Sequence, residues 1–325
     1  MLITLLLTAA VIMMWWIFIL KDSMALLAPL THHIKYQLNS TQNRSDTTSI
    51  RTDLPHSTTP SQPTPPPTIP NNPTVCILIP VTSAGQTQWS SLEHTFLYKY
   101  PFPTIPATCE PDSFAYHALI GYDSGDRLFD NQTTLDALQL LAHSTWPRNI
   151  ALTTHSVANP RRKPGPVMNH LSNAAHAAGC DYLYRINDDT ELLTRWTSAF
   201  VSTLASFTPP NIGVVGPTCH EGNTAILTHD FVHRTHIDIF GTHYPAELTD
   251  WWLDDWISRV YGESRTLKLH NVVVLHHVLA TRYEVTWSSV EQLERLVGGG
   301  NETLNNFISH QLLQQPQLRP YSINP

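Results

Sequence analysis

The feature that most constrains this chain is the alternation of short apolar runs with helix-forming segments. Val75-Cys-Ile-Leu-Ile-Pro-Val81 reads as a buried strand, and residues 114–122, 149–154, 182–186, 212–216 and 266–275 read as further strands. Between them, residues 91–99, 134–143, 166–178, 194–206 and 251–261 carry helical spacing; Gly179 suits a C-cap, and Pro209-Pro210 stops the fourth helix. Residues 231–239 fit either state. Strands separated by helices predict an α/β fold with a mostly parallel sheet between helix layers. Residues 75–325 are enough for one such domain with a real core.

The sequence before that domain has a different character. Residues 1–20 are apolar except for Thr4 and Thr8, about 30 Å of helix, which suits a membrane anchor. The competing reading is a signal peptide cleaved at Ser23-Met24-Ala25, but the run is long for one and has no basic start. Residues 21–74 lack apolar periodicity and become rich in Pro, Ser and Thr, as expected of an extended stalk. Asn-x-Ser/Thr sequons at Asn39, Asn43, Asn131 and Asn301 fit a glycosylated lumenal protein. Cys76, Cys109, Cys180 and Cys219 either form two disulfides or sit as buried thiols. A net charge of −7 without basic runs argues against a nucleic-acid partner.

Candidate chemistry sits at strand ends. The run ending at Ile186 breaks into Asn187-Asp188-Asp189, either a polar turn or a set of hard oxygen ligands for Mg²⁺ or Mn²⁺ with a phosphate. Asp123 and Asp126 close the second strand, as a turn or as acceptors for a nucleobase or ribose. Arg161-Arg162-Lys163 precede a helix start, where basic side chains and the helix dipole suit a diphosphate. Asp254 and Asp255 stand among Trp251, Trp252 and Trp256, whose apolar surroundings would raise a carboxylate's basicity. His276 and His277 follow the last strand and suit a metal shell or a phosphate. A rival set, His229, His233 and His236, resembles the paired histidines of zinc hydrolases if the segment is helical.

In order, these pieces resemble the GT-A glycosyltransferase fold, in particular its family-2-like members, over residues 75–285. The resemblance implies that residues 75–81 open the nucleotide-binding half and that Asp123 and Asp126 contact base and ribose. It assigns Arg162, Lys163 and Asn169 to the diphosphate, through the pattern basic-Gly-x-x-x-Asn with Gly165. Asn187-Asp188-Asp189 takes the place of the family's Asp-x-Asp, with Asp188 on the donor and Asp189 on the metal. Asp254 or Asp255 would be the base, with Asp255 preferred, and His276 or His277 a metal ligand. Two departures stand out: Asn187 replaces an Asp, and Asp-Asp replaces the usual Glu-Asp. The implied activity is metal-dependent, inverting transfer from a UDP- or GDP-sugar, with Mn²⁺ or Mg²⁺, to a hydroxyl of a glycan, glycoprotein or glycolipid. The anchor and stalk resemble the type II layout of ER and Golgi enzymes, with the catalytic domain lumenal. The alternatives are a sugar-binding glycoprotein without catalysis and, less favoured, a zinc hydrolase.

Overall fold

A computed structural model describes residues 72–279, 285–286 and 288–314. The expected anchor, nearly all of the stalk, and Asn39 and Asn43 lie outside the described residues. Among the described residues, no helix is long and apolar enough to cross a membrane.

The chain runs β1 (Thr74–Val81), α1 (Phe96–Lys99), α2 (Pro101–Thr108), β2 (Ala115–Asp123), α3 (Gln132–Thr145), β3 (Ile150–Val157), α4 (Pro164–Ala177) and β4 (Tyr182–Arg185). It continues through β5 (Thr190–Leu192), α5 (Thr197–Ala205), β6 (Val214–Cys219), β7 (Asp230–His233), α6 (Thr235–Phe240), α7 (Leu253–Val260), β8 (Thr266–His276) and α8 (Val290–Gln314). All eight strands join one sheet in the order β3-β2-β1-β4-β7-β6-β8-β5. β1, β2, β3 and β4 pair in parallel, as do β6 and β8, whereas β7 is antiparallel to both β4 and β6, and β5 to β8. The sheet is therefore mostly parallel but mixed, with an antiparallel insertion beyond β4.

β1 explains why the apolar run had to be continuous. Val75, Cys76, Ile77, Leu78 and Ile79 are all fully buried, because helices cover both faces of the strand. Val75, Ile77 and Ile79 face a core shared with Phe102, Ile105, Leu138 and Trp196. Cys76 and Leu78 face a second core with Val167, Leu171 and Trp256. Each fully buried aliphatic side chain stabilises the fold by about 1.5–3 kcal/mol. The strand order also creates a topological switch: the chain leaves β1 toward β2 and β3, then returns to β4 on the other side of β1. Open α/β sheets bind ligands at the carboxyl ends of strands at such a point.

Several elements differ from the sequence reading. Residues 231–239 are neither one strand nor one helix but both in turn, β7 followed by α6. This separates His229, His233 and His236, and so overturns the zinc-hydrolase reading. His229 bonds Thr190, His233 bonds Thr235, and His236 is locked between Tyr261 and the His243 carbonyl. Three elements were not foreseen: α2, β5 and α8. The prolines of α2 stand at positions 101, 103 and 106, and two of them fall in the first turn, where no intrahelical donor is lost. The four cysteines form one disulfide rather than two, Cys76–Cys180, leaving Cys109 and Cys219 as buried thiols.

Candidate active site

A cavity of about 290 Å³ opens at the switch point. Pro80 and Val81 at the end of β1 with Thr82 after it, Asp123 at the end of β2, and Asn187, Asp188 and Asp189 after β4 line it. Arg162 and Lys163 just before α4 and Pro164 at its start contribute too, as do Asp250, Asp254 and His276. Five carboxylates line it against three permanent cations, Arg162, Lys163 and Arg185. Such an excess of buried negative charge is costly unless a cation is present to offset it.

The strand-end acids are well placed for one. Asp189 is almost buried, and its Oδ1 accepts no hydrogen bond. That atom lies 3.2 Å from His276 Nε2, and the same imidazole nitrogen is 3.3 Å from the Asn187 carboxamide. Hard divalent ions such as Mg²⁺ are held by one or two carboxylates plus substrate phosphates, so this donor set fits one. Among the described residues, no group of three or more His, Cys, Asp or Glu side chains makes an all-protein metal cage. His277 belongs elsewhere: its ring stacks on Tyr100 at 3.8 Å and its Nε2 pairs with Glu191.

The basic loop offers side chains rather than backbone N–H groups to an anion. Pro164 and Pro166 have no N–H, and the Gly165 N–H is already taken by the Thr249 carbonyl at 2.7 Å. An anion at this helix start therefore has few backbone donors, and the exposed Arg162 is the accessible cation. Lys163 is buried against Asp250 at 2.9 Å. Gly165 and Asn169 brace the segment that carries Asp250. A Cβ at Gly165 would stand 2.7 Å from the Thr249 carbonyl, and Asn169 exchanges two hydrogen bonds with the Tyr244 backbone. Asn169 therefore does not reach the cavity.

Asp126 also turns inward. Its carboxylate accepts from Ser83 N–H and Oγ, Thr82 Oγ1 and the N–H groups of Leu128 and Phe129, which hold it below the usual carboxylate range despite burial. It shapes the loop after β1 rather than facing a ligand. Asp123 does face the cavity. Burial raises its pKa, opposed by the Asn159 amide, which also bonds the Lys163 carbonyl.

Of the two helix acids, Asp254 lines the cavity and Asp255 does not, which corrects the preference for Asp255. Asp255 is half-buried on the outer side of α7 toward Arg259. Asp254 pairs with Arg185 at 2.6 Å, its side chain one-third exposed. Burial pushes its pKa up while Arg185 pulls it down, with a net upward shift. The helix starts after Trp252, whose φ of 68° is a true outlier for a bulky residue and marks strain next to this acid. Trp256 is buried in the core rather than open to a sugar.

Sequence reasoning missed Arg185, Asp230, Tyr244 and Asp250. A charged residue in a strand gave one signal: Arg185 is 1% exposed between β1 and β7.

No protein-family model matches the sequence, and no curated protein matches it. Among solved structures, the chain is similar to a mannosyltransferase, PcManGT, from Pyrobaculum calidifontis in complex with GDP-Man and Mn²⁺. That match has 12% identity, covers 76% of this chain and 81% of that one, and has a TM-score of 0.46. It is also similar to TarS from S. aureus in complex with UDP-GlcNAc, at 12% identity, 74% and 71% coverage and a TM-score of 0.46.

Proposed function

We propose that this chain is a metal-dependent glycosyltransferase that moves a sugar from a nucleotide diphosphate donor to an acceptor hydroxyl with inversion. The observation that carries this reading is the orphaned Asp189 oxygen beside His276, in an acid-rich cavity at the switch point of the sheet. Asp189 and His276 would hold Mn²⁺ or Mg²⁺, with the Asn187 carboxamide next to them. When bound, the cation supplies Lewis-acid neutralisation of the diphosphate leaving group. Arg162 would meet the diphosphate at the mouth, and Asp123 and Asp188 would orient the nucleoside end of the donor.

Asp254 would act as the base. It takes the proton of the acceptor hydroxyl as that oxygen forms a bond to the anomeric carbon. The bond from that carbon to the diphosphate breaks at the same time, and the electron pair leaves with the nucleotide. A type II placement in the ER or Golgi, with an N-terminal anchor, is supported by residues 1–20 and by the sequons alone.

The test is a panel of UDP- and GDP-sugars, with Mn²⁺ and mixed glycan acceptors, read by nucleotide release. Turnover that Asp189→Ala leaves unchanged would overturn the reading. Nucleotide binding without turnover would instead favour a non-catalytic sugar-binding protein.

A further inference from the structure

The most costly feature of the site is an almost fully buried ion pair. Arg185 sits in the middle of the sheet, its side chain 1% exposed, and Asp230 beside it is fully buried. Arg185 Nε donates to Asp230 Oδ2 at 2.9 Å and to the Tyr244 hydroxyl at 2.8 Å, NH1 donates to the Thr228 carbonyl, and NH2 reaches Asp254 Oδ1 at 2.6 Å. Tyr244 in turn donates to Asp230 Oδ2 at 2.7 Å, and His243 Nε2 bonds Asp230 Oδ1 at 2.7 Å. A buried ion pair of this kind often contributes no more stability than packed apolar side chains of the same volume. Four of its members serve to fix one guanidinium, and toward the cavity that guanidinium makes a short contact to Asp254 and a long one, 3.5 Å, to the Asn187 carboxamide oxygen.

We propose that Arg185 is the positioning residue of this site. Its guanidinium fixes one oxygen of Asp254 at the cavity wall and keeps that carboxylate ionised, so that the other oxygen is ready to take the acceptor's proton. The inference rests on the transferase reading for its catalytic consequence, but the coupling of Arg185 to Asp254 does not. The titratable groups facing Asp254 are Arg185 from β4, Asp230 from β7, Tyr244 from the segment after α6, Cys219 from β6 and Asp255 on its own helix. Arg185 is the one cation among them, and the one that Asp254 pairs with directly.

The experiment uses the full chain with ¹³C-carboxyl-labelled aspartate. The Asp254 signal is assigned by its absence in Asp254→Asn, and kcat and KM are measured across pH in parallel. In Arg185→Lys, kcat falls about 100-fold while the donor KM changes by less than about 2-fold. The acid limb of kcat/KM and the Asp254 carboxyl titration both move up by about one pH unit. Tyr244→Phe, which keeps the guanidinium but removes one of the groups that hold it, moves both in the same direction by less. If Arg185→Lys does not fold, Tyr244→Phe alone decides. An Asp254 titration that stays put in a folded variant overturns the proposal, as does a loss of kcat with an unmoved acid limb. A wild-type protein with no transfer activity overturns the transferase reading, while the carboxyl titration still decides whether Arg185 controls Asp254.

Discussion

Asp189 Oδ1 and His276 Nε2 stand 3.2 Å apart at the ends of elements that are distant in sequence, and the carboxylate oxygen has no hydrogen-bond donor. Two good ligands held this close, one of them orphaned, suit a shared cation better than a hydrogen bond. His277 is a built-in control, because its ring is committed to Tyr100 and Glu191. Mn²⁺ titrated into the protein with UDP present should bind more than about 10-fold more weakly in Asp189→Ala and in His276→Ala, and within about 2-fold of wild type in His277→Ala. Paramagnetic resonance of free Mn²⁺ reads this directly. Equal binding in all four proteins would remove these residues from the metal site.

The buried histidines predict an acid-labile fold. Burial lowers the His236 pKa to about 3 and holds His229 well below its ordinary value. Above about pH 6.5 both are neutral in the folded and unfolded chains and contribute no pH dependence. As pH falls below that value the unfolded chain takes up protons that the folded chain refuses, so stability is lost progressively toward pH 3. Two such groups give a slope near pH 5 of up to about 2.7 kcal/mol per pH unit. Asp230 adds to this below about pH 4, since Arg185 and His243 depress its pKa and that stabilisation is lost as it protonates. Urea unfolding at several pH values should show the slope, and His236→Gln should lower it by up to about 1.4 kcal/mol per pH unit. A variant slope equal to that of wild type would contradict this.

Most of the parallel half was legible because it is buried on both faces, where continuous apolar runs are required. The antiparallel half was harder to read. β5 spans three residues, Thr190–Leu192, and forms only because β8 passes beside it, a pairing that no local pattern encodes. The acids after β4 were readable as a group, since a strand that ends in carboxylates is conspicuous. Which of the candidate polar side chains face the cavity was not: Asp126 and Asn169 have the residue types of ligands but bond backbone groups. Asp254 and Asp255 are adjacent in sequence, and the start of α7 alone decides which one meets the cavity. Arg185 was hidden for the opposite reason. Its partners Asp230, Tyr244 and Asp254 are 45 to 69 residues away, and only the fold gathers them.

The disulfide carries a prediction about thiol counts and stability. Cys76 and Cys180 join β1 to the residues just before β4 and close a separation of 104 residues. In the chain-entropy picture a loop of that length stabilises the fold by about 4–5 kcal/mol. Alkylation of the unfolded, unreduced protein should label Cys109 and Cys219 only, and mass spectrometry should recover a linked Cys76–Cys180 peptide. Cys76→Ser with Cys180→Ser should lower the urea midpoint by an amount in line with that figure. Labelling of all four thiols would rule the bridge out.

The two sequons within the described residues predict opposite outcomes in a glycosylating host. Asn131 is exposed at the start of α3, and its Oδ1 caps the helix by accepting from the N–H groups of Thr133 and Thr134. An N-linked glycan attaches through Nδ2, so the cap survives the modification. Asn301 lies inside α8, and its Nδ2 donates to the Val260 carbonyl, which ties α8 to the end of α7. A sugar on that nitrogen replaces one of its two hydrogens, and its bulk between α8 and α7 displaces the other from the Val260 carbonyl, at a cost of about 1–3 kcal/mol. Asn131→Gln should therefore shift the protein down by one glycan on a gel, and Asn301→Gln should leave its mobility unchanged. Peptide mass spectrometry showing Asn301 occupied in the folded protein would contradict the docking of α8 on α7.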